Sequence, residues 1–419
     1  MTLINIISAL GNNNSVYPLF VRDCCIENVA KVAMTYNQNA KDSKFIAKQA
    51  TRERIIDEYG SSLVWLFGIP VIEKVMDKYI KAKKFSPNID LSLFKEETGQ
   101  GIETNIKKFK NIAPDIVEEL KKVKNNKKAY QFLLTQKFLV ATTIPVILMG
   151  YLLPKLNFAY TKKKLEKAKE NNNNSVISDM INFTSRKNQT ISFGSGMVET
   201  LSTLNPVQKM MILDGGLTIG RVGTARNKNE KAEMAFKMAG MCYLNYIAPK
   251  KIAKFLDFLT EKMFKINMAL DLKLLNDDKF LSWVEQYAKK LPKLEDSNTA
   301  LEFIDNNITG EFARAAKTSG IITTLENGIR DPRRYVDTDK LIELQNQIID
   351  FAKNAELKGG IKKLARQATV AKSFNILANI GISSALLALA LPKAQFLFRR
   401  IITGSNLDPG IIETDKKYL

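Results

Sequence analysis

The stretch Asp214-Gly-Gly-Leu-Thr-Ile-Gly-Arg-Val-Gly-Thr-Ala-Arg226 holds the residues whose types and spacing come nearest to ligand chemistry. Gly215 and Gly220 stand where the outer glycines of a phosphate loop, G-x-x-x-x-G-K-[ST], would be. Arg221 then replaces the lysine, and Val222 replaces the hydroxyl that holds magnesium. The match fails at the two residues that do the chemistry. Successive backbone N–H groups flanked by guanidiniums can still cradle an anion. Gly215, Gly216, Gly220, Arg221, Gly223 and Arg226 are therefore a candidate anion-binding set, against the plainer expectation of a flexible turn joining two helices.

The chain has no histidine. That removes Ser-His-Asp and Cys-His relays, HExxH zinc sites, facial triads and His-ligated haem. Catalysis would have to rest on carboxylates, Lys, Tyr, Ser or backbone donors. Glu96-Glu97 and Glu118-Glu119 are sequence neighbours, which point in different directions on a helix and make no convergent acid/base pair. Asp337-Thr-Asp339 lacks the spaced oxygens and glycine of a calcium loop and reads as a helix cap. Asp331-Pro-Arg333-Arg334-Tyr335 reads as a turn, with a headgroup or acidic partner as its functional alternative. Cys24, Cys25 and Cys242 offer no CxxC spacing and no disulfide framework, so a reducing compartment and small core residues are expected. No catalytic residue, metal site or cofactor is expected.

The elements that would position these residues are helical. Val21, Cys25, Val29 and Val32, then Phe45, Ile46, Gln49, Ile55 and Ile56, follow three- and four-residue spacings, and Ile102, Ile106, Phe109, Ile112, Ile116 and Leu120 do the same. Few windows alternate with period two. The fold class expected is all-α: a multi-helix protein of two helical units with one or two apolar, candidate transmembrane helices. The division runs as a basic N-terminal unit over 1–170, an Asn/Ser/Thr-rich linker over 171–195, a C-terminal unit over 196–372, a second apolar helix over 373–398 and a tail over 399–419. Helix breaks are expected at Pro249, Pro292 and Gly310. Asp337 or Thr338 should cap a helix that Gly359-Gly360 ends.

Three uncharged segments matter for function. Ser61–Ile72 is too short to span a bilayer and reads as a buried or interfacial helix with Trp65 as an anchor. Phe138–Pro154 gives roughly 25 Å of helix, just short of a hydrocarbon layer about 30 Å thick. Ser373–Pro392 is long enough to cross, and its small residues would admit a neighbouring helix. The last two leave alike: Leu153-Pro-Lys-Leu-Asn-Phe158-Ala-Tyr160 matches Leu391-Pro-Lys-Ala-Gln-Phe396-Leu-Phe398 before Arg399-Arg400. Trp65, Lys155, Phe158, Tyr160, Lys393, Phe396, Phe398, Arg399 and Arg400 are accordingly candidate membrane-interface residues.

The formal net charge is +20. Basic runs at 121–128, 155–169, 358–372 and 393–400 abut the apolar segments, which favours anionic membrane lipids over nucleic acid as the partner, with a protein partner also open. The expected location is the cell membrane, integral or peripheral, with most of the chain on the reducing, cytoplasmic side. The N-terminus has no positive charge before its apolar run and reads as a poor secretory signal that the mature protein keeps. The expectation is a membrane-associated helical protein that binds or scaffolds at an anionic surface. The alternatives are an enzyme or transport accessory acting on a phosphorylated or lipid-phosphate ligand at Gly215–Arg226, and a basic protein that associates with nucleic acid.

Overall fold

The computed structural model describes residues 6–7, 20–89, 91, 94, 100–170, 195–204, 206–264 and 270–416. All but Ser195 of the expected linker over 171–195, all but Ile6 and Ile7 of the N-terminal apolar run, and Glu96-Glu97 lie outside them. Apart from an isolated antiparallel bridge between Thr324 and Arg330, the described residues contain no strand, and the fold is all-α.

In chain order the helices are α1 (Asn28–Ala40), α2 (Lys44–Leu63), α3 (Ile69–Ala82), α4 (Ile102–Phe109), α5 (Pro114–Asn125), α6 (Lys127–Pro145), α7 (Leu153–Glu170) and α8 (Ser195–Ser202). There follow α9 (Pro206–Thr224), α10 (Lys228–Cys242), α11 (Ala248–Phe264), α12 (Leu272–Leu275), α13 (Asp278–Tyr287), α14 (Ser297–Asn306) and α15 (Glu311–Thr318). The last are α16 (Thr338–Leu357), α17 (Ile361–Ala385), α18 (Leu391–Thr403) and α19 (Pro409–Lys416).

Two compact units are formed, each from separate stretches of chain. Unit 1 comprises Met1–Leu19, Met76–Leu133 and Ala248–Ser383; unit 2 comprises Phe20–Val75, Leu134–Ile247 and Ser384–Leu419. In unit 1, α12 to α17 enclose an apolar core in which Phe280, Val284, Ile304, Leu341, Ile348 and Leu364 are all buried. Each such side chain removed from water is worth about 1.5–3 kcal/mol. The helix starts are set by short acids. Asp277 accepts from the Lys279 and Phe280 N–H groups, Asp296 forms a reciprocal box with Thr299, and Asp337 accepts from the Lys340 N–H as expected. After α16 the chain turns through Gly359 and Gly360, whose φ angles of +82° and +110° are the left-handed values glycine tolerates. Asp331–Tyr335 is a turn, and Arg333 there meets Asp331 at 3.0 Å and Glu119 at 3.0 Å within the same unit.

Proline does not break the long helices. At Pro249 the expected break is absent, and helix continues from Lys228 to Phe264. The reason recurs four times. Wide π turns at Val64–Gly68, Val146–Leu152, Tyr243–Ile247 and Leu386–Ala390 each precede one residue and then a proline: Pro70, Pro154, Pro249 and Pro392. Proline has no N–H for the carbonyl four residues back, and its ring crowds that carbonyl. The widened turn relieves both problems by passing hydrogen bonds five residues along, as in Ile69 N–H to Val64 O, Leu153 N–H to Leu148 O and Leu391 N–H to Leu386 O.

Among the described residues three helices are long and apolar enough, by length and composition, to cross a membrane: Lys44–Ala82, Lys127–Lys167 and Ile361–Thr403. Two contain the expected segments 138–154 and 373–392. The third corrects the reading of Ser61–Ile72 as too short: the uncharged run has 12 residues, but helix continues on both sides of it. Only 11%, 28% and 17% of the three apolar windows are buried inside protein. Large apolar side chains such as Phe67, Val71, Ile147 and Leu389 point outward, and Leu156 and Ile401 are 68% and 73% exposed.

Candidate functional site

Unit 2 keeps its charges inside. On α2, Ile46, Ala50, Glu53 and Asp57 follow one face at steps of four, three and four residues, so the apolar stripe continues as carboxylates. The same device runs along α10 through Glu230, Glu233 and Lys237, and along α18 through Gln395 and Arg399.

These faces converge on two guanidiniums. Arg226, in the turn between α9 and α10, binds Glu53 through two parallel bonds of 3.0 Å and meets Glu230 Oε1 at 2.7 Å. Its guanidinium lies 4.1 Å from the centre of the Phe158 ring. Arg399, only 2% exposed, binds Glu233 at 2.7 and 2.8 Å and lies 5.1 Å from the Phe396 ring. Asp408, just before α19, sits between them at 3.5 Å from Arg226 and 3.4 Å from Arg399. Paired, planar contacts of this kind suit arginine rather than lysine.

Beside them Arg221 binds Asp57 at 2.8 and 3.1 Å and donates to Ser61 Oγ at 2.7 Å. Lys237 reaches Glu58 at 3.1 Å, and Glu58 also faces Arg54 at 3.1 Å and Lys31 at 3.5 Å. Burial pushes the Lys237 ammonium down to about 8, with Arg54 and Arg221 repelling it and Glu58 and Asp57 opposing the fall. Burial likewise raises the Glu230 carboxyl above its ordinary range, against the pull of Arg226.

The two similar helix exits meet in this site. Leu153 packs on Gly60 of α2, and Leu391 packs on Gly240 of α10. Three residues beyond each proline comes an amide: Asn157 donates to the Glu53 carbonyl at 2.8 Å, and Gln395 donates to Glu233 Oε1 at 2.6 Å. One residue further, Phe158 and Phe396 lie under the two guanidiniums. A cavity of about 80 Å³ is lined by these groups, among them Glu53, Asn157, Phe158, Glu233, Gln395 and Asp408.

The glycine-rich stretch is placed differently from the turn expected of it. Gly215, Gly216, Gly220, Arg221 and Gly223 lie on α9, within continuous helix. Gly216 and Gly220 are four residues apart on the side facing the π turn Val146–Leu152. A Cβ on Gly220 would stand 2.9 Å from the Gly150 carbonyl oxygen, and one on Gly216 would stand 2.9 Å from Val146. These glycines serve the close crossing of two helices, the small-xxx-small spacing being the signal. Arg221 and Arg226 belong to the ionic site, their donors directed at carboxylates.

The interface set also divides. Lys155, Tyr160, Lys393 and Arg400 are exposed, Trp65 is half-buried, and Lys155 lies 4.2 Å from the Tyr151 ring centre. Phe396 and Arg399 are buried in the site, Phe158 is half-buried there, and Phe398 stacks on Phe236 at 4.7 Å. Sequence order alone suggests an exit to headgroups because it cannot distinguish an outward guanidinium from one meeting a carboxylate on another helix. Cys25 is exposed and Cys24 and Cys242 are half-buried, so the expected core role fails for Cys25. Glu53, Glu230, Glu233, Asp408, Asn157 and Gln395 were not singled out from the sequence; charges at apolar-stripe positions were the available sign. Among the described residues no group of three His, Cys, Asp or Glu is placed to hold a metal ion.

No family model matches the chain, and no curated protein or solved structure does either.

Proposed function

We propose that the protein is an integral α-helical membrane protein that binds or scaffolds at an anionic membrane surface. The observation carrying this reading is the reversal in unit 2: large apolar side chains cover its outside while carboxylates and guanidiniums fill its inside. In water the exposed apolar faces of Lys44–Ala82, Lys127–Lys167 and Ile361–Thr403 would be left unpaid, whereas hydrocarbon accommodates them. Ionisable groups on membrane helices characteristically face the bundle interior and pair with one another, as they do here. The anionic preference rests on the +20 net charge and on exposed basic groups close to the apolar stretches, including Lys155, Lys163, Lys164, Lys393 and Arg400.

Alkaline carbonate washing of membranes from cells expressing the full chain tests the insertion. The protein should remain in the pellet and come into solution only with detergent. Release into the carbonate supernatant overturns the reading.

A further inference from the structure

We propose that the cavity in unit 2 binds one monovalent cation, held by the amide oxygens Asn157 Oδ1 and Gln395 Oε1. Both residues are more than nine-tenths buried, at 4% and 6% exposed, and both oxygens lack a hydrogen-bond partner. Their amide nitrogens are already engaged, Asn157 with the Glu53 carbonyl and Gln395 with Glu233. Those bonds fix which end of each amide is the open one. What each presents is an acceptor, so the missing partner is a cation or a hydrogen-bond donor.

Charge selects the cation. The cavity lining carries five carboxylates, Glu53, Asp57, Glu230, Glu233 and Asp408, against three guanidiniums, Arg54, Arg221 and Arg399, with Arg226 paired to Glu53 and Glu230 beside it. Adding the neighbouring Glu58 and Lys237, or Glu27 and Lys31, leaves the imbalance unchanged. Counted with Arg226, the acids around the cavity outnumber its guanidiniums by one, and such an excess away from bulk water favours a cation over an anion. Asp408 is the acid least tightly held by the two central arginines, at 3.4 and 3.5 Å.

The donor set fits a single charge. Divalent ions gather several carboxylates or a nearly complete oxygen shell, and no such cluster of acids exists among the described residues. Two neutral amide oxygens with a nearby carboxylate suit sodium, potassium or ammonium. The space fits as well: by this measure a water needs at least about 10–15 Å³, so about 80 Å³ takes an ion with a few waters and excludes a bulky quaternary amine. Asn157 and Gln395 hold equivalent places after Pro154 and Pro392, so each half of unit 2 supplies one oxygen. The inference stands independently of membrane insertion, because the cavity lies wholly among unit 2 side chains.

The full chain, purified in detergent and exchanged into choline chloride, should be titrated with sodium, potassium or ammonium chloride at constant ionic strength while its thermal unfolding midpoint is followed. At least one of the three should raise the midpoint saturably above the choline value. Gln395→Met should shift the half-saturating concentration upward at least tenfold. Midpoints that match choline in all three salts mean that water alone fills the cavity, and the proposal falls. It falls equally if the Met variant titrates like the parent. If the Met variant does not fold, the choline comparison decides.

Discussion

Unit 1 and unit 2 are built from the same kind of helix and stabilised in opposite ways. In unit 1 the interior is Phe280, Ile304, Leu341 and Ile348, and pairs such as Arg314 with Asp277 lie toward solvent, the buried pair Arg330–Asp305 standing apart from that apolar core. In unit 2 the interior holds Glu53, Glu230, Glu233, Arg221, Lys237 and Arg399, while Leu63, Phe67, Leu156 and Ile401 face out. The lesson is that burial has to be judged against the solvent outside. A helix protein in water hides its apolar stripes; one whose exterior meets hydrocarbon gains little from doing so, and specifies its packing with polar contacts and small residues instead.

The largest effect that would sharpen this contrast is at Arg399. Arg399→Met leaves Glu233 buried beside Gln395 with no cation, and breaking a buried pair from one side costs about 3–5 kcal/mol. Denaturant unfolding in detergent measures it, and adding Glu233→Gln should recover most of the loss. A single-variant cost below about 1 kcal/mol, the range of exposed pairs, would show that the unit 2 interior is not held by its charges.

Next is the exterior. Phe67→Lys places a charge on the outward apolar face, and at the centre of a membrane helix lysine disfavours insertion by about 2.5–3.5 kcal/mol. The carbonate-resistant fraction should fall sharply. An unchanged fraction would mean that this face meets water.

A smaller pair of effects separates packing from ligand binding in the glycine stretch. Gly220→Ala drives a methyl into the Gly150 backbone and should cost about 1–3 kcal/mol. Gly215→Ala meets nothing within 4 Å and, being helical, should gain up to about 1 kcal/mol. Thermal midpoints that move the same way for both would argue against the helix crossing.

The mildest effect concerns pH and belongs to unit 1. Burial alone would raise the Asp305 carboxyl, but Arg330 at 2.7 and 3.0 Å and Lys108 at 2.7 Å outweigh it and hold the group below its ordinary range. A depressed folded-state value means that this stabilisation is fully present above the ordinary aspartate value of about 3.9 and is lost as pH falls through the lower folded one. Acid unfolding of Arg330→Met should therefore differ from the parent near neutrality and converge with it at the acid end. A constant offset across the whole range would assign the effect to packing against Phe109.

Much of the fold was legible in the residues themselves. Three- and four-residue apolar spacing determines helices almost everywhere, because a helix must bury or present one stripe whatever surrounds it. The cap at Asp337 and the stop at Gly359-Gly360 are local backbone chemistry and needed no neighbours. The site was not legible for the converse reason. Glu53 and Arg226 are far apart in the chain, and nothing local distinguishes a carboxylate meant for a guanidinium from one meant for water.

What the sequence by itself determined is the helical class, the absence of histidine chemistry, the two long apolar stretches at 138–154 and 373–392 and the likeness of their exits. Only the tertiary structure decided that Gly216 and Gly220 serve a helix crossing, that prolines are carried in continuous helix just after π turns, and that Arg399 points inward to Glu233. Periodicity and composition act along one chain segment at a time, whereas a buried charge is defined by partners that only folding brings within 3 Å.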